Sequence, residues 1–230
     1  MKKINFSFCL IGAIVFLCLN SCDNETTDNT GISVVCLGDS LTAGYGATTA
    51  GIEDKTRAYP AYLQNKINIP VVNAGISGDT TSQALSRINT DVLMENPRIV
   101  IIELGANDVF EMIPLATTGS NLQNIINLIN DGNRKIYIAK FYTESVVRTM
   151  AGKLGITNYT VQTMLIVQYD NMFDRLASLN NVELIDDIWN GIWGIHMSDD
   201  VHPNARGYEL MADNYYRIMK PYLRANNLIK

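Results

Sequence analysis

Five short apolar runs punctuate the chain beyond residue 31: Ile32 to Leu37, Val71 to Val72, Ile99 to Leu104, Ile136 to Ala139 and Val182 to Ile185. None alternates apolar with polar positions as a half-exposed antiparallel strand would, so each predicts a strand covered on both faces. The intervals carry a helical rhythm. Around Tyr59 to Ile67, apolar residues fall at 59, 62, 63 and 67. From Thr80 to Glu95, Ala84, Leu85, Ile88, Val92 and Leu93 share one face that stops before Pro97, predicting a continuous helix. Further helices are expected over Asn121 to Asn130 and about Tyr159 to Leu179, and a last one starts at Pro203 and ends near Pro221. Strand alternating with helix predicts an α/β fold, a parallel sheet in a three-layer sandwich.

The first 31 residues stand outside that pattern. Lys2 and Lys3 precede an uncharged, largely apolar segment, Ile4 to Leu19, which reaches Leu19-Asn20-Ser21-Cys22 and then turns abruptly polar. This reads as a secretory signal, since about sixteen residues are too few to cross roughly 30 Å of hydrocarbon as a helix. The residues before Cys22 resemble a bacterial lipobox, which implies cleavage there and diacylation of the Cys22 thiol; an uncleaved amino-terminal anchor is the alternative. Asp23 to Thr30 is too polar to fold alone and reads as a tether. The expected organisation is a lipoprotein signal peptide over 1–21, a tether over 22–31 and one domain over 32–230. The mature protein is then an exported lipoprotein, held to a membrane of the cell envelope through Cys22 and facing the periplasm or the cell surface.

Composition narrows the partners. Of the four cysteines, Cys9 and Cys18 lie in the segment to be removed and Cys22 would be acylated, leaving Cys36 as a small buried side chain with no disulfide to make. Removing residues 1–21 takes away Lys2 and Lys3 and no acid, so the formal charge moves from -5 to -7. An acidic domain argues against nucleic acid as a partner.

The polar residues that could carry chemistry fall in loops just after predicted strands: Ser40, then Asn73 to Asp79, Gly105 to Asp108 and Asp199 to Pro203. In open α/β sheets such loops share one edge, where ligands bind. Gly38-Asp39-Ser40 places a serine on a strand-to-helix turn, as a nucleophile or merely as a βα loop with a helix cap. Phosphate-cradle patterns are excluded: there is no G-x-x-x-x-G-K-[ST], and Thr49 stands where Gly44 and Gly46 would need a third glycine. Gly75-Ile76-Ser77-Gly78 nearly makes a G-x-S-x-G elbow, but Asp79 replaces its last glycine, leaving Ser77 as a competing serine. Only His196 and His202 can supply an imidazole. His202 is favoured because it precedes a helix-starting proline and has Asp199 three residues upstream, with Asp200 the competing acid.

Taken together, Gly-Asp-Ser-Leu at 38 to 41, Gly78 within Asn-Ala-Gly-Ile-Ser-Gly-Asp-Thr, Gly-Ala-Asn-Asp at 105 to 108 and Asp-Asp-Val-His-Pro-Asn at 199 to 204 resemble the ordered blocks of the GDSL family of SGNH hydrolases. The likeness runs from Ile32 to Tyr222 and is nearest to exported arylesterase, lysophospholipase and thioesterase-type enzymes. It implies a three-layer α/β/α sandwich with a five-stranded, mainly parallel, flavodoxin-like sheet. It also implies a serine esterase that forms an acyl-enzyme, with Ser40 as nucleophile, His202 as base and Asp199 as its orienting acid. The oxyanion donors would be the amides of Ser40 and Gly78 and the side chain of Asn107, with no metal or organic cofactor. The ester substrate, whether glycan-bound acetate, lipid or small aryl ester, stays open. A thioesterase or lysophospholipase, or a noncatalytic binding module on the same fold, is the alternative. The segment Tyr142 to Val167 departs from the family pattern, either as a wall over an acyl pocket or as a longer surface helix. Trp189 and Trp193 read as core packing, with the cleft as their other possible place.

Overall fold

The computed structural model describes residues 32–230; the expected signal peptide, Cys22 and the tether lie outside the described residues. Five parallel strands form one sheet in the order β2-β1-β3-β4-β5: β1 Ser33–Gly38, β2 Val71–Gly75, β3 Pro97–Glu103, β4 Lys135–Ala139 and β5 Glu183–Ile185. Val34 pairs with Val71 on one side and Ile99 on the other, and every residue of β1 is buried, which explains its uninterrupted apolar run. Helix α2 (Tyr59–Gln64) packs on α9 (Ala205–Ala225). Elsewhere α3 (Thr81–Ser86) packs on α6 (Leu115–Ile129), and α8 (Tyr159–Asn180) meets both α6 and α7 (Glu144–Lys153). From β1 the chain crosses to β2 on one side, then to β3 on the other, which opens a crevice beyond the carboxyl ends of β1 and β3.

Three helices differ from the periodicity, each for a physical reason. The helix expected over 80–95 is broken into α3, α4 (Ile88–Asp91) and a 3₁₀ turn at Leu93–Glu95. Arg87, at φ -108° and ψ 9°, leaves the helix so that its guanidinium can turn inward. There it donates to Gly38 O at 3.1 Å, Ala74 O at 2.8 Å and Asp79 Oδ2 at 2.6 Å, tying the ends of β1 and β2 to the loop after β2. Helix α6 begins at Leu115 and not near Asn121, because buried Thr118 in its first turn donates to Asp108 from a stretch without an apolar stripe. The last helix begins at Ala205, capped by Asn204, and runs through Pro221 to Ala225. Pro221 is exposed while Leu223 is buried, so core packing beyond the proline carries the helix through a lost backbone bond.

Replacing Arg87 with methionine leaves the Asp79 carboxylate in place without its partner. Loss of one member of a largely buried pair costs about 3 to 5 kcal/mol, so Arg87→Met should lower the urea-denaturation free energy by that order. A loss under about 1 kcal/mol would show that the guanidinium does not tie the strand ends together.

Candidate active site

At the end of β1, Asp39 accepts from the Leu41 N–H at 3.1 Å and so caps the single-turn helix α1 (Ser40–Ala43), presenting Ser40 at the sheet edge. The loop after α1 presses against the loop that carries His202. Gly46 makes that approach possible: its φ is 78°, and a Cβ there would lie 2.9 Å from Ser198 Oγ. Across this contact His202 Nε2 stands 3.0 Å from Ser40 Oγ. Tyr45 packs a tilted ring on His202, with centroids 4.5 Å apart, and its carbonyl accepts from the Tyr208 hydroxyl at 2.8 Å.

The spacing of Asp199 and His202 makes a closed turn. Asp199 Oδ1 accepts from the backbone N–H groups of Val201 at 2.9 Å and His202 at 2.8 Å, leaving Oδ2 at 2.8 Å from His202 Nδ1. Burial works against ionisation of Asp199, but those two N–H groups and the imidazole hold its carboxyl below the usual range. An ionised acid at Nδ1 selects the tautomer with the proton there, which leaves the Nε2 lone pair facing Ser40. Asp200 turns away and pairs with Lys153 Nζ at 2.7 Å. His196 serves the loop through its carbonyl, which accepts from Asn204 N–H at 3.0 Å. Ser77 Oγ is buried with no hydrogen-bond partner among the described residues.

Opposite the serine lie the amide donors. Asn107, on α5 (Ala106–Phe110), directs its amide nitrogen to Asp79 O at 3.0 Å and to Asp39 Oδ2 at 3.2 Å. The backbone N–H groups of Ser40 and Gly78 have no partner among the described residues. Gly78 has φ 85° with open space where a Cβ would point, so backbone conformation and not bulk is what calls for glycine. Asp108 fastens the start of α3 to α5 by accepting from Thr81 N at 2.8 Å. Beside Ser40 and His202 is a cavity of about 280 Å³, bounded by Asn107, Phe110 and Trp189. Trp189 therefore serves both places: it is buried, donates to Phe141 O at 2.8 Å, and faces the cleft, with half-buried Trp193 set edge-on against it. Cys36 is a buried free thiol whose pKa burial pushes up to about 12. Among the described residues, no group of three or more His, Cys, Asp or Glu side chains is placed to hold a metal ion.

The GDSL-like Lipase/Acylhydrolase family profile matches residues 36–210. The chain belongs to this family. It is a GDSL-type carboxylic ester hydrolase by that membership. It is 33% identical to an arylesterase of Vibrio mimicus over 132 residues, 55% of this chain and 60% of that relative's length. It is 25% identical to esterase TesA of Pseudomonas aeruginosa over 202 residues, 83% of this chain and 89% of the relative. The crystal structure of TesA superposes with a TM-score of 0.67 at 23% identity, covering 82% of this chain and 98% of that one, which shows a common fold.

Two acids that the motifs do not single out by role sit behind this GDSL site. Asp39 and Glu103 are both fully buried beside each other, and Glu103 accepts from Thr42 Oγ1 at 3.1 Å. Burial first, and then the charge of Asp39, push Glu103 well above the carboxyl range. Burial raises Asp39 to about 7, the Leu41 N–H opposing, while Asp79 and Asp108 push it further up. The two carboxyls together therefore hold a proton more tightly than exposed carboxyls do. In sequence its signal was a lone acid closing an otherwise apolar strand.

Both raised carboxyls bind protons in the native state that the unfolded chain releases above about pH 4, so they withdraw stability as pH rises from there toward and past 7. Glu103→Gln removes one of them and keeps the contact with Thr42. The fall in Tm between acidic and mildly alkaline buffer should shrink in the variant; parallel pH profiles would show that Glu103 does not hold the proton.

Proposed function

We propose that this chain is an exported, lipid-anchored serine esterase that cleaves carboxylic esters outside the cytoplasm through an acyl-enzyme. The observation that carries the reading is the hydrogen-bonded line from Ser40 Oγ through the His202 ring to Asp199, with distances of 3.0 and 2.8 Å. Ser40 Oγ attacks the ester carbonyl carbon as its proton passes to His202 Nε2. The oxyanion meets the N–H groups of Ser40 and Gly78 and the Asn107 amide, which exchanges its longer bond, to Asp39, for the new charge. The C–O bond to the alcohol then breaks, and the leaving oxygen takes the proton from the imidazolium. Water, deprotonated by His202, attacks acyl-Ser40 and releases the carboxylic acid. Asp199 holds the ring and stabilises its positive form without taking the proton.

Export and anchoring rest on Lys2, Lys3, the apolar segment to Leu19 and the lipobox-like residues before Cys22. No helix among the described residues is long and apolar enough to cross a membrane. In this reading attachment depends on the acylated Cys22. The polar stretch Asp23 to Thr30 would let the esterase stand clear of the lipid surface.

Ser40→Ala should fold and lose at least about 10³-fold in turnover, since the covalent route is gone. A fluorophosphonate should label Ser40; label on Ser77 with Ser40 untouched would sink the assignment. Asp199→Asn should be severely impaired while Asp200→Asn, which loses only an exposed pair with Lys153, changes little. The opposite ranking in two folded variants would transfer the orienting role to Asp200. For the anchor, Cys22→Ser should abolish acylation of the mature protein in cells, read by mass spectrometry of its amino terminus. An unacylated wild-type terminus far from residue 22 would overturn the lipoprotein reading.

A further inference from the structure

A second cavity, of about 260 Å³, lies next to the catalytic one, between α5 and the start of α6 on one side and α7 with α8 on the other. Phe141 and Met150 line both cavities. The walls continue in step: Phe110 faces the catalytic cavity and Val109 the second, Val146 the first and Val147 the second. The second cavity is apolar apart from Gln168 and the hydroxyl end of Tyr169. Its floor comes from Tyr142 to Val167, the segment that departs from the family pattern, which contributes Val147, Met150, Ala151, Leu154 and Ile156. Of the two shared side chains, Phe141 is fixed: it makes edge contacts with Tyr142, Tyr169 and Phe173 at 5.1 to 6.1 Å between centroids. Met150 is buried but unbranched, with three rotatable side-chain bonds and a cavity on either side of it.

We infer that this cavity receives the acyl chain of the substrate, with Met150 as the gate between it and Ser40, so that the preferred esters carry straight acyl chains of medium length. The inference rests on the ester-hydrolase reading above and extends it to the substrate. An ester held with its carbonyl at Ser40 must direct its acyl chain along one wall of the catalytic cavity, and the continuous apolar wall leads past Phe110 to Met150 and Phe141. A volume of about 260 Å³ is on the scale of an alkyl segment of several methylenes, which adds to the carbons lying in the catalytic cavity. The far end opens beside Met112, which is 76% exposed, so a longer chain runs out to solvent instead of meeting a wall.

The test is a series of nitrophenyl esters from acetate to dodecanoate. kcat/KM should rise up to about fourfold per methylene while the chain extends through the second cavity and then level off once it reaches solvent. Ala151 faces the second cavity and not the catalytic one, so Ala151→Phe fills the chamber from its far wall. It should lower the ratio of octanoate to acetate kcat/KM by at least about tenfold. Should that variant fail to fold, the wild-type protein answers through fluorophosphonates bearing methyl or octyl chains, the octyl reagent labelling Ser40 faster. A flat or falling chain-length profile, equal labelling rates, or an unchanged ratio in folded Ala151→Phe each overturns the acyl cavity, while labelled Ser40 and cleaved acetate keep the esterase reading. No label and no ester cleavage at all would overturn that reading and the inference with it.

Discussion

Asp39 is fully buried where β1 ends, and its two oxygens join two other elements, α1 through Leu41 N–H and α5 through the Asn107 amide, while Glu103 of β3 is buried beside it. An isolated carboxylate in such a place would be strongly disfavoured. Here the burden is shared, since the Leu41 N–H and the Asn107 amide donate to Asp39, and burial raises both its carboxyl and that of Glu103 toward the neutral form. That arrangement fixes the polarity of the site. An acceptor at Asp39 meets only the NH₂ end of Asn107, so the amide presents donors, never its carbonyl, to the space before Ser40.

Around this carboxyl the edge is braced at the cost of local preference. Arg87 gives up helical geometry within an amphipathic stretch in order to bond the ends of β1 and β2 and Asp79. Asp108, buried one residue after Asn107, receives bonds from Thr81 and Thr118 and so links α3, α5 and α6. A local rule broken for a buried polar network is the pattern expected where geometry matters more than propensity. The donors at Gly78 and Asn107 thus hang from loops that cannot drift independently.

The strands were legible because a parallel strand covered on both faces leaves an apolar run, as in Val34 to Leu37 and Ile99 to Ile102. The turn joining Asp199 to His202 was legible because a carboxylate three residues before the ring can satisfy two backbone N–H groups and still face Nδ1. What could not be read were features decided by distant residues. The break at Arg87 depends on carbonyls from two strands, the early start of α6 on Asp108, and the helix beyond Pro221 on the pocket that takes Leu223. Glu103 looked like the polar end of a strand because nothing local announces that Asp39 waits beside it. Tyr142 to Val167 left two choices, and only the packing of α7 against α8 shows its apolar face turned toward a cavity.

The two sides of the cleft are held by different forces, which bears on how such a site can change. Beside Ser40, the order comes from directional bonds among buried polar groups, each intolerant of small displacements. Across the cleft, α7 is held mainly by apolar contacts through Val146, Met150 and Ala151, with one bond from Arg148 to Gln162 of α8 at 3.1 Å and a Lys153 to Asp200 pair whose side chains are 44% and 74% exposed. An exposed ion pair adds little to stability, and apolar packing accepts substitutions that conserve volume. Side chains on α7 can therefore vary in size, reshaping the chamber behind Met150, while the bonds of Asp39 and Asn107 stay as they are. With the acyl cavity inferred above, selectivity and chemistry would be separable, because no hydrogen bond of Ser40, His202 or Asp199 passes through α7.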